Sequence, residues 1–407
     1  MVIIVKRKWL IFFLIVLLTP LLTSCWSKKE LTDLALVSAL GIDKTKDGKY
    51  LLSFQILNPG TVAGSLQGGG GGTESPPVTV YQATGDNLTE ASRRASGHVS
   101  RRLYYAHTNL VVIGEKMARE EGVEKLIDGL DRDPEFRTTA TFVIANGSSA
   151  ADLVETLTPV DKIPSDKINK TLEITEKRWG HNIKSSLKDV MVNLKAPGKG
   201  TLVSGFKLVG NVENSKQLMN LQQSAPKSTL RSDGIAVLKD GKLIDWLYGD
   251  KARGTVWVID RIHGTDFNID WNGKKEVIAY QTVRQKTKIS THIKNGMPTL
   301  FVHSRVEGDI SELDVPVELS NPTEVVKIQH ALAKQIESDI GEAIRNGQKH
   351  GVDYFGFGSD MYRNHPQEWK EIGDRWNSEY FPKAAVKVSV EAYIRRTGLR
   401  NRSFLSK

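Results

Sequence analysis

Apolar and polar positions alternate along this chain at two periods, and the changes of period locate its elements. Short apolar runs at 34–42 and 50–57, parted by Lys46-Asp47-Gly48, predict a hairpin, and 78–83 predicts another strand. At Asn87 the period lengthens to that of a helix. Asn87 can cap it with Glu90 at the third position, and Leu88, Ala91, Ala95, Val99 and Leu103 form one stripe. Strands at 110–113 and 138–145 then alternate with a helix at 123–130 and another to Leu157, for which Ser149 and Asp152 make a capping box. The pattern is β-α-β-α-β-α. It breaks at 159–164, after which Ile168, Leu172 and Trp179, then Leu187, Met191 and Leu194, mark two amphipathic helices ending at Pro197-Gly198; 201–212 reads as a strand.

A polar stretch, 214–228, divides an N-terminal region (25–213) from a C-terminal one (229–407) of different character. Asp240-Gly241, Asn272-Gly273 and Asn295-Gly296 are two-residue turns suited to positive φ, so the C-terminal region is built on hairpins. Leu300, Val302, Ser304, Val306 and Ile310 share one face of a strand. A helix opening at Asn321-Pro322, with the stripe Val325, Ile328, Leu332, Ile336, Ile340 and Ile344, is expected to cover that face. Trp369, Ile372 and Trp376 mark the core face of a second helix, and Val386, Val388, Val390, Ala392 and Ile394 alternate with polar residues in a half-buried closing strand. The expected fold class is mixed, α/β and α+β, and multi-domain. An N-terminal strand-helix alternating part precedes a C-terminal antiparallel sheet covered by helices.

The first residues follow neither period. Lys6, Arg7 and Lys8 precede an apolar run from Trp9 to Leu22, and then Leu22-Thr23-Ser24-Cys25, the pattern of a cleavable signal (1–24) ending in a lipobox. The run is about 14 residues against the roughly 20 of a spanning helix, and Pro20 interrupts it. Cys25 is the chain's one cysteine, so no disulfide within the chain and no cysteine zinc site is possible. The expected modification is a diacylglycerol thioether at Cys25 with an N-acyl lipid, because two or more chains hold a protein on a bilayer where one does so marginally. Loss of the signal lowers the formal charge from +9 to +6. That mild excess suits an anionic lipid surface, and no basic stripe interleaved with aromatics points to nucleic acid.

Little in the chain suggests catalysis. None of the nine histidines stands in a His-Glu-x-x-His motif, no Gly-x-Ser-x-Gly elbow occurs, and Ser232-Asp233 and Ser359-Asp360 read as turn and cap residues. The segment 59–77, with five glycines at 68–72, is a flexible loop with no Gly-Lys-Ser/Thr to make it a phosphate cradle. No enzyme activity, cofactor, metal or small-molecule ligand is expected. Arg101, Arg102, Arg395, Arg396 and Arg400 are candidate contacts for a partner or for lipid, with structural ion pairing the competing role of Arg101 and Arg102.

Several separated motifs together resemble one family. Cys25-Trp26-Ser27-Lys28-Lys29-Glu30-Leu31 with Leu36-Val37-Ser38-Ala39-Leu40-Gly41-Ile42-Asp43 is similar to the mature start of the Ger(x)C lipoproteins, the C-subunits of spore germinant receptors. The likeness continues through Ser100 to Thr108, Val111-Val112-Ile113-Gly114-Glu115, Gly234 to Leu238, Tyr354-Phe355-Gly356-Phe357-Gly358, Pro366 to Trp369 and Ile394 to Gly398. The glycine-rich run departs from the family pattern as a variable loop. The resemblance implies a non-enzymatic, three-domain mixed fold on the outer face of the spore inner membrane. It also implies assembly with a larger membrane-embedded A-subunit and a transporter-like B-subunit. An importer's substrate-binding lipoprotein is the alternative, and it requires two similar lobes about a hinge.

Overall fold

A computed structural model describes residues 31–61 and 75–396, together with Trp9 and Phe13. Cys25, Arg400, the signal segment apart from Trp9 and Phe13, and 62–74 of the glycine-rich loop lie outside the described residues.

The hairpin expected at the start forms as β1 (Leu34–Lys44) and β2 (Tyr50–Leu57), antiparallel with Leu40 opposite Phe54 and Ile42 opposite Leu52. β3 (Val78–Gly85) adds to β2. Helix α1 (Leu88–Ala95) has Asn87 as its cap, the side chain accepting from the Glu90 N–H. It is shorter than its stripe suggested: Ser96 and Gly97 turn the chain back on the carbonyls of Arg93 and Arg94. Val99 therefore falls beyond the helix, and Leu103 lies in a short strand, β4 (Arg102–Tyr104), parallel to the start of β1. β5 (Leu110–Gly114), α2 (Glu115–Glu120), α3 (Glu124–Asp131), β6 (Thr141–Ala145) and α4 (Ala150–Glu155) follow, α4 carrying the expected Ser149–Asp152 capping box. Then come α5 (Pro164–Arg178), α6 (Leu187–Leu194) and β7 (Thr201–Gly210).

The stretch 214–228 is only partly irregular. It includes the end of one four-residue helix, α7 (Val212–Ser215), and all of another, α8 (Met219–Gln222). It leads into β8 (Ser228–Lys239) and β9 (Lys242–Leu247), whose Asp240-Gly241 turn has φ of 48° and 73°. This hairpin joins the first sheet, giving nine strands in the order β3-β2-β1-β5-β6-β7-β8-β9 with β4 on β1. After α9 (Gly249–Val258) a second sheet is made by β10 (Thr265–Trp271), β11 (Lys274–Lys294), β12 (Met297–Leu313) and β13 (Ala385–Arg396), in that order. β10, β11 and β12 are antiparallel. β13 is parallel to β12, because the 29-residue helix α10 (Pro322–His350) crosses back over the sheet between them. Helices α11 (Phe357–Asn364) and α12 (Pro366–Ile372) complete that layer; α12 stops at Ile372, and Trp376 follows it on a wider helical turn, still fully buried.

Two sheets organise the chain, and they share a wall. Along β8, Ala236 and Leu238 face one core of the first sheet, with Leu126, Leu187 and Phe54. Ile235 and Val237 point the other way, into the core of the second sheet, with Trp257, Ile336 and Tyr280. The two-residue period of a strand thus places one hairpin in two cores. The α10 stripe seals the second: Ile328, Leu332, Ile336, Ile340 and Ile344 are completely buried. Among the described residues no helix is long and apolar enough to cross a membrane.

Candidate functional site

Of the arginines singled out as candidate contacts, the four described ones, Arg101, Arg102, Arg395 and Arg396, are at the surface. Arg102 opens β4 beside Leu34, nine residues after Cys25, a span of at most about 30 Å of extended chain. Its guanidinium pairs with Glu135 at 2.7 Å, and Arg101 is exposed. Arg395 and Arg396 end β13, with Arg395 3.7 Å from Glu307 and Arg396 opposite Asp309. The two pairs belong to different sheets. They do not form one patch within a single sheet.

The motif residues instead meet at two junctions. At the first, Asp43 at the end of β1 turns its carboxylate into the start of α4, accepting from the N–H groups of Ala150 and Ala151 at 2.9 Å each. Burial pushes this carboxyl up, opposed by those two donors. Gly114, on neighbouring β5, must lack a side chain because a Cβ would occupy the place of the Asp43 carboxylate. Glu115 accepts from the Trp246 indole at 3.0 Å and from the Gly147 N–H at 2.8 Å, tying β9 and the β6–α4 loop to α2. Burial works to raise the Glu115 carboxyl, but hydrogen bonds from Trp246, Gly147 and Arg119 hold it below the ordinary range.

The second junction joins the sheets. Asp353 is fully enclosed between α10 and α11. One of its oxygens accepts from the N–H groups of Phe355 (3.1 Å) and Gly356 (2.9 Å), the other from Gly358 N–H (2.6 Å) and the Trp376 indole (3.1 Å). Its backbone carbonyl takes the N–H of Gly200 at 2.8 Å. Gly200 belongs to the loop entering β7, and that loop is clamped further by Gly198, which at φ 65° lies under Trp369 and Trp376 with no room for a Cβ. Burial raises the Asp353 carboxyl against these donors. The Tyr354 to Gly358 motif is therefore a carboxylate cradle, and Trp369 and Trp376 are its lid. An Asp followed at the third and fifth positions by Gly is a turn signal, and it was the one sequence cue to this junction.

A further group is the half-buried His181, in a cleft of about 440 Å³ bounded by Trp179, Gly234 and Tyr248. Burial, and then the charge of Arg253, pull its imidazole from 6.5 down to about 4, and its Nε2 has no hydrogen-bond partner. The folded protein thus binds this proton less readily than the unfolded chain, and stability is lost as pH falls from 6.5 towards 4, by at most about 3 kcal/mol. His181→Phe is expected to flatten that acid limb, measured as urea midpoints at pH 7 and 4.5 for both chains. An unchanged dependence would remove His181 from it. Among the described residues no group of three or more His, Cys, Asp or Glu could hold a metal ion.

Fold and junctions define a two-sheet scaffold in which the motif residues cap, cradle and tie elements together. The comparisons give that scaffold a family. Residues 27–207 match the family described as "Spore germination protein N-terminal domain", and 233–398 match "Spore germination B3/ GerAC like, C-terminal". The chain belongs to this spore germination GerAC-like family. It is 46% identical over 396 residues to "Spore germination protein KC" of Bacillus subtilis (strain 168), covering 97% of each chain. It is 25% identical over 379 residues to "Spore germination protein B3" of the same organism, covering 92% of this chain and 94% of that one. The crystal structure of the GerBC protein superposes with a TM-score of 0.55 at 20% identity, covering 88% of this chain and 96% of that one, and so shares the fold.

Proposed function

We propose that this chain is a non-enzymatic lipoprotein subunit of a nutrient-germinant receptor, required for spore germination. In this reading residues 1–24 are cleaved and Cys25 carries the diacylglycerol thioether and N-acyl lipid. The folded part then stands on the outer face of the spore inner membrane beside the membrane-embedded A- and B-subunits, relaying their signal. The observation that carries the reading is the near-full-length likeness to a spore germination protein at 46% identity, with both family matches in order. Two features support the tether. The one cysteine precedes the fold, whose described part begins at Leu31, and confinement to a surface raises effective concentration enough for weak interfaces to serve. An importer's binding lipoprotein is less well supported, since it calls for two like lobes and this chain has a nine-stranded and a four-stranded sheet whose cores meet on one hairpin of the first.

Cys25→Ala, expressed in place of the unaltered chain in spores, is expected to leave the inner-membrane fraction and to abolish the response to the receptor's nutrient. Membrane retention at the wild-type level would sink the anchor. Intact subunits that never co-purify from spore membranes would sink the assembly.

A further inference from the structure

The second sheet has one face under α9, α10 and α11 and another that carries no helix across its middle among the described residues, only His365, between α11 and α12, reaching its end beside His292. On β11 the open face carries Arg284, Lys286, Lys288 and Ser290; on β12, Glu307, Arg305, His303 and Phe301; on β13, Tyr393, Glu391, Ser389 and Lys387. The register sets these in rows across three strands. Lys286 stands opposite Arg305 and Lys288 opposite His303, while Phe301 stands opposite Lys387. Lys286 and Arg305 are like charges directly opposite in an antiparallel pair, which destabilises a sheet, so this pairing works against the fold that displays it. Some of the charge is answered: Lys286 pairs with Asp260 at 2.5 Å and Arg305 with Glu307 at 3.5 Å. Arg284, Lys288 and Lys387 have no carboxylate in ion-pair range among the described residues. Two cations lie over rings on the same face, Arg305 over Tyr393 at 4.9 Å and Lys387 over Phe301 at 5.5 Å.

The geometry points to this open face of the second sheet as a docking surface for an anionic phospholipid bilayer. The inference rests on the reading that the chain is held at a membrane, and it adds which face turns to the lipid. Charge complementarity favours the bilayer at these rows, because they hold Arg284, Lys286, Lys288, Arg305 and Lys387 against Glu307 and Glu391; the other carboxylates of the face, Asp266, Asp270 and Asp309, lie on β10 and beyond Glu307, towards its far end. The absence of a pocket is no obstacle: a ladder of exposed cations across three strands can meet an array of phosphates directly, and ring-backed cations suit the headgroup layer. Arg395, at the end of β13, extends the same edge of the face. The lipid at Cys25 would keep the face within reach of the surface, and the face would fix the protein's orientation there, which a flexible tether alone leaves free.

The test uses the chain from residue 26 onward, which lacks the lipid and keeps every described strand and helix of the fold, with phosphatidylcholine vesicles made with and without phosphatidylglycerol. Binding is expected to need phosphatidylglycerol and to weaken with salt. Arg284→Gln/Lys288→Gln/Lys387→Gln is expected to lower it by about 100-fold, a few-fold per cation, with an unchanged melting temperature. Removing the same charge at Lys125, Lys188 and Lys195, exposed on or beside helices of the first sheet, is expected to change it by no more than a few-fold. Equal losses from both triple variants would mean binding by net charge alone and overturn the assignment of the face. Binding indifferent to phosphatidylglycerol would also overturn it, as would vesicle affinity unmoved by the face variant while capture of an acidic receptor subunit is lost. None of these outcomes depends on whether Cys25 is lipidated, which the Cys25→Ala spores decide separately.

Discussion

Asp353→Ala is expected to cost about 4 kcal/mol or more, enough to unfold much of the C-terminal region at physiological temperature. The carboxylate satisfies four enclosed donors, the N–H groups of Phe355, Gly356 and Gly358 and the Trp376 indole. Each stranded donor costs about 1–3 kcal/mol, and the relief of no longer burying a charge offsets only part of that sum. Asp353→Asn separates this account from a simple loss of volume. The amide has nearly the same shape, yet whichever way it sits its NH₂ group faces donors: Gly358 N–H and the Trp376 indole in one orientation, Phe355 and Gly356 N–H in the other. Asn is therefore expected to cost more than about 2 kcal/mol, and the buried Trp376 should report the change as altered fluorescence before global unfolding. Urea midpoints for the three chains give the answer. An Asn variant within about 0.5 kcal/mol of the unaltered chain would show that the donors are satisfied in some other way.

The parts of this fold that were legible in the sequence are those whose cause is local. The turns at Asp240-Gly241, Asn272-Gly273 and Asn295-Gly296 were readable because each pair adopts positive φ by its own chemistry. The caps at Asn87 and Ser149 and the stripe of α10 were readable for the same reason. Where a pattern ran on past its cause, it misled: Val99 and Leu103 continue the α1 period, but Ser96-Gly97 ends the helix, and Leu103 buries its side chain in the same core from a strand instead. The parallel placement of β13 depends on which way α10 crosses, and the alternating residues 386–394 are compatible with either direction. The junctions were hidden for a stronger reason. Asp43 and Glu115 owe their roles to partners distant in sequence, Ala150 and Trp246 among them, and nothing in their immediate neighbours announces such partners; Asp353 has its glycine cue and three donors nearby, but its ties to Trp376 and Gly200 are equally unannounced.

Arg253 and Asp339, where α9 crosses α10, are likewise partners distant in sequence. Arg253 lies in the continuously buried run from Ala252 to Val258, and Asp339 stands beside Ile336 and Ile340 on the buried stripe; they meet at 2.7 Å with 9% and 3% of their side chains exposed. Arg253 also reaches Asp250 at the rim and lies over Phe267, and Asp339 accepts from Gln335. Asp339→Leu is expected to cost about 3 kcal/mol, because it leaves a guanidinium buried with only the exposed Asp250 to answer it. Arg253→Met is expected to cost a similar amount at neutral pH, but with a different dependence on acid. Burial already raises the Asp339 carboxyl and Arg253 opposes that rise, so removing Arg253 lifts it further. The folded variant then takes up a proton more readily than the unfolded chain. Its deficit is largest at neutral and alkaline pH and shrinks as pH falls towards the raised value. The double variant Arg253→Met/Asp339→Leu, with neither charge left alone, is expected to recover most of the loss and to show no such dependence. Denaturant midpoints at pH 5 and 8 for the four chains distinguish these cases. A double variant as unstable as the sum of the singles would mean that the two side chains hold the helix crossing separately and not as a pair.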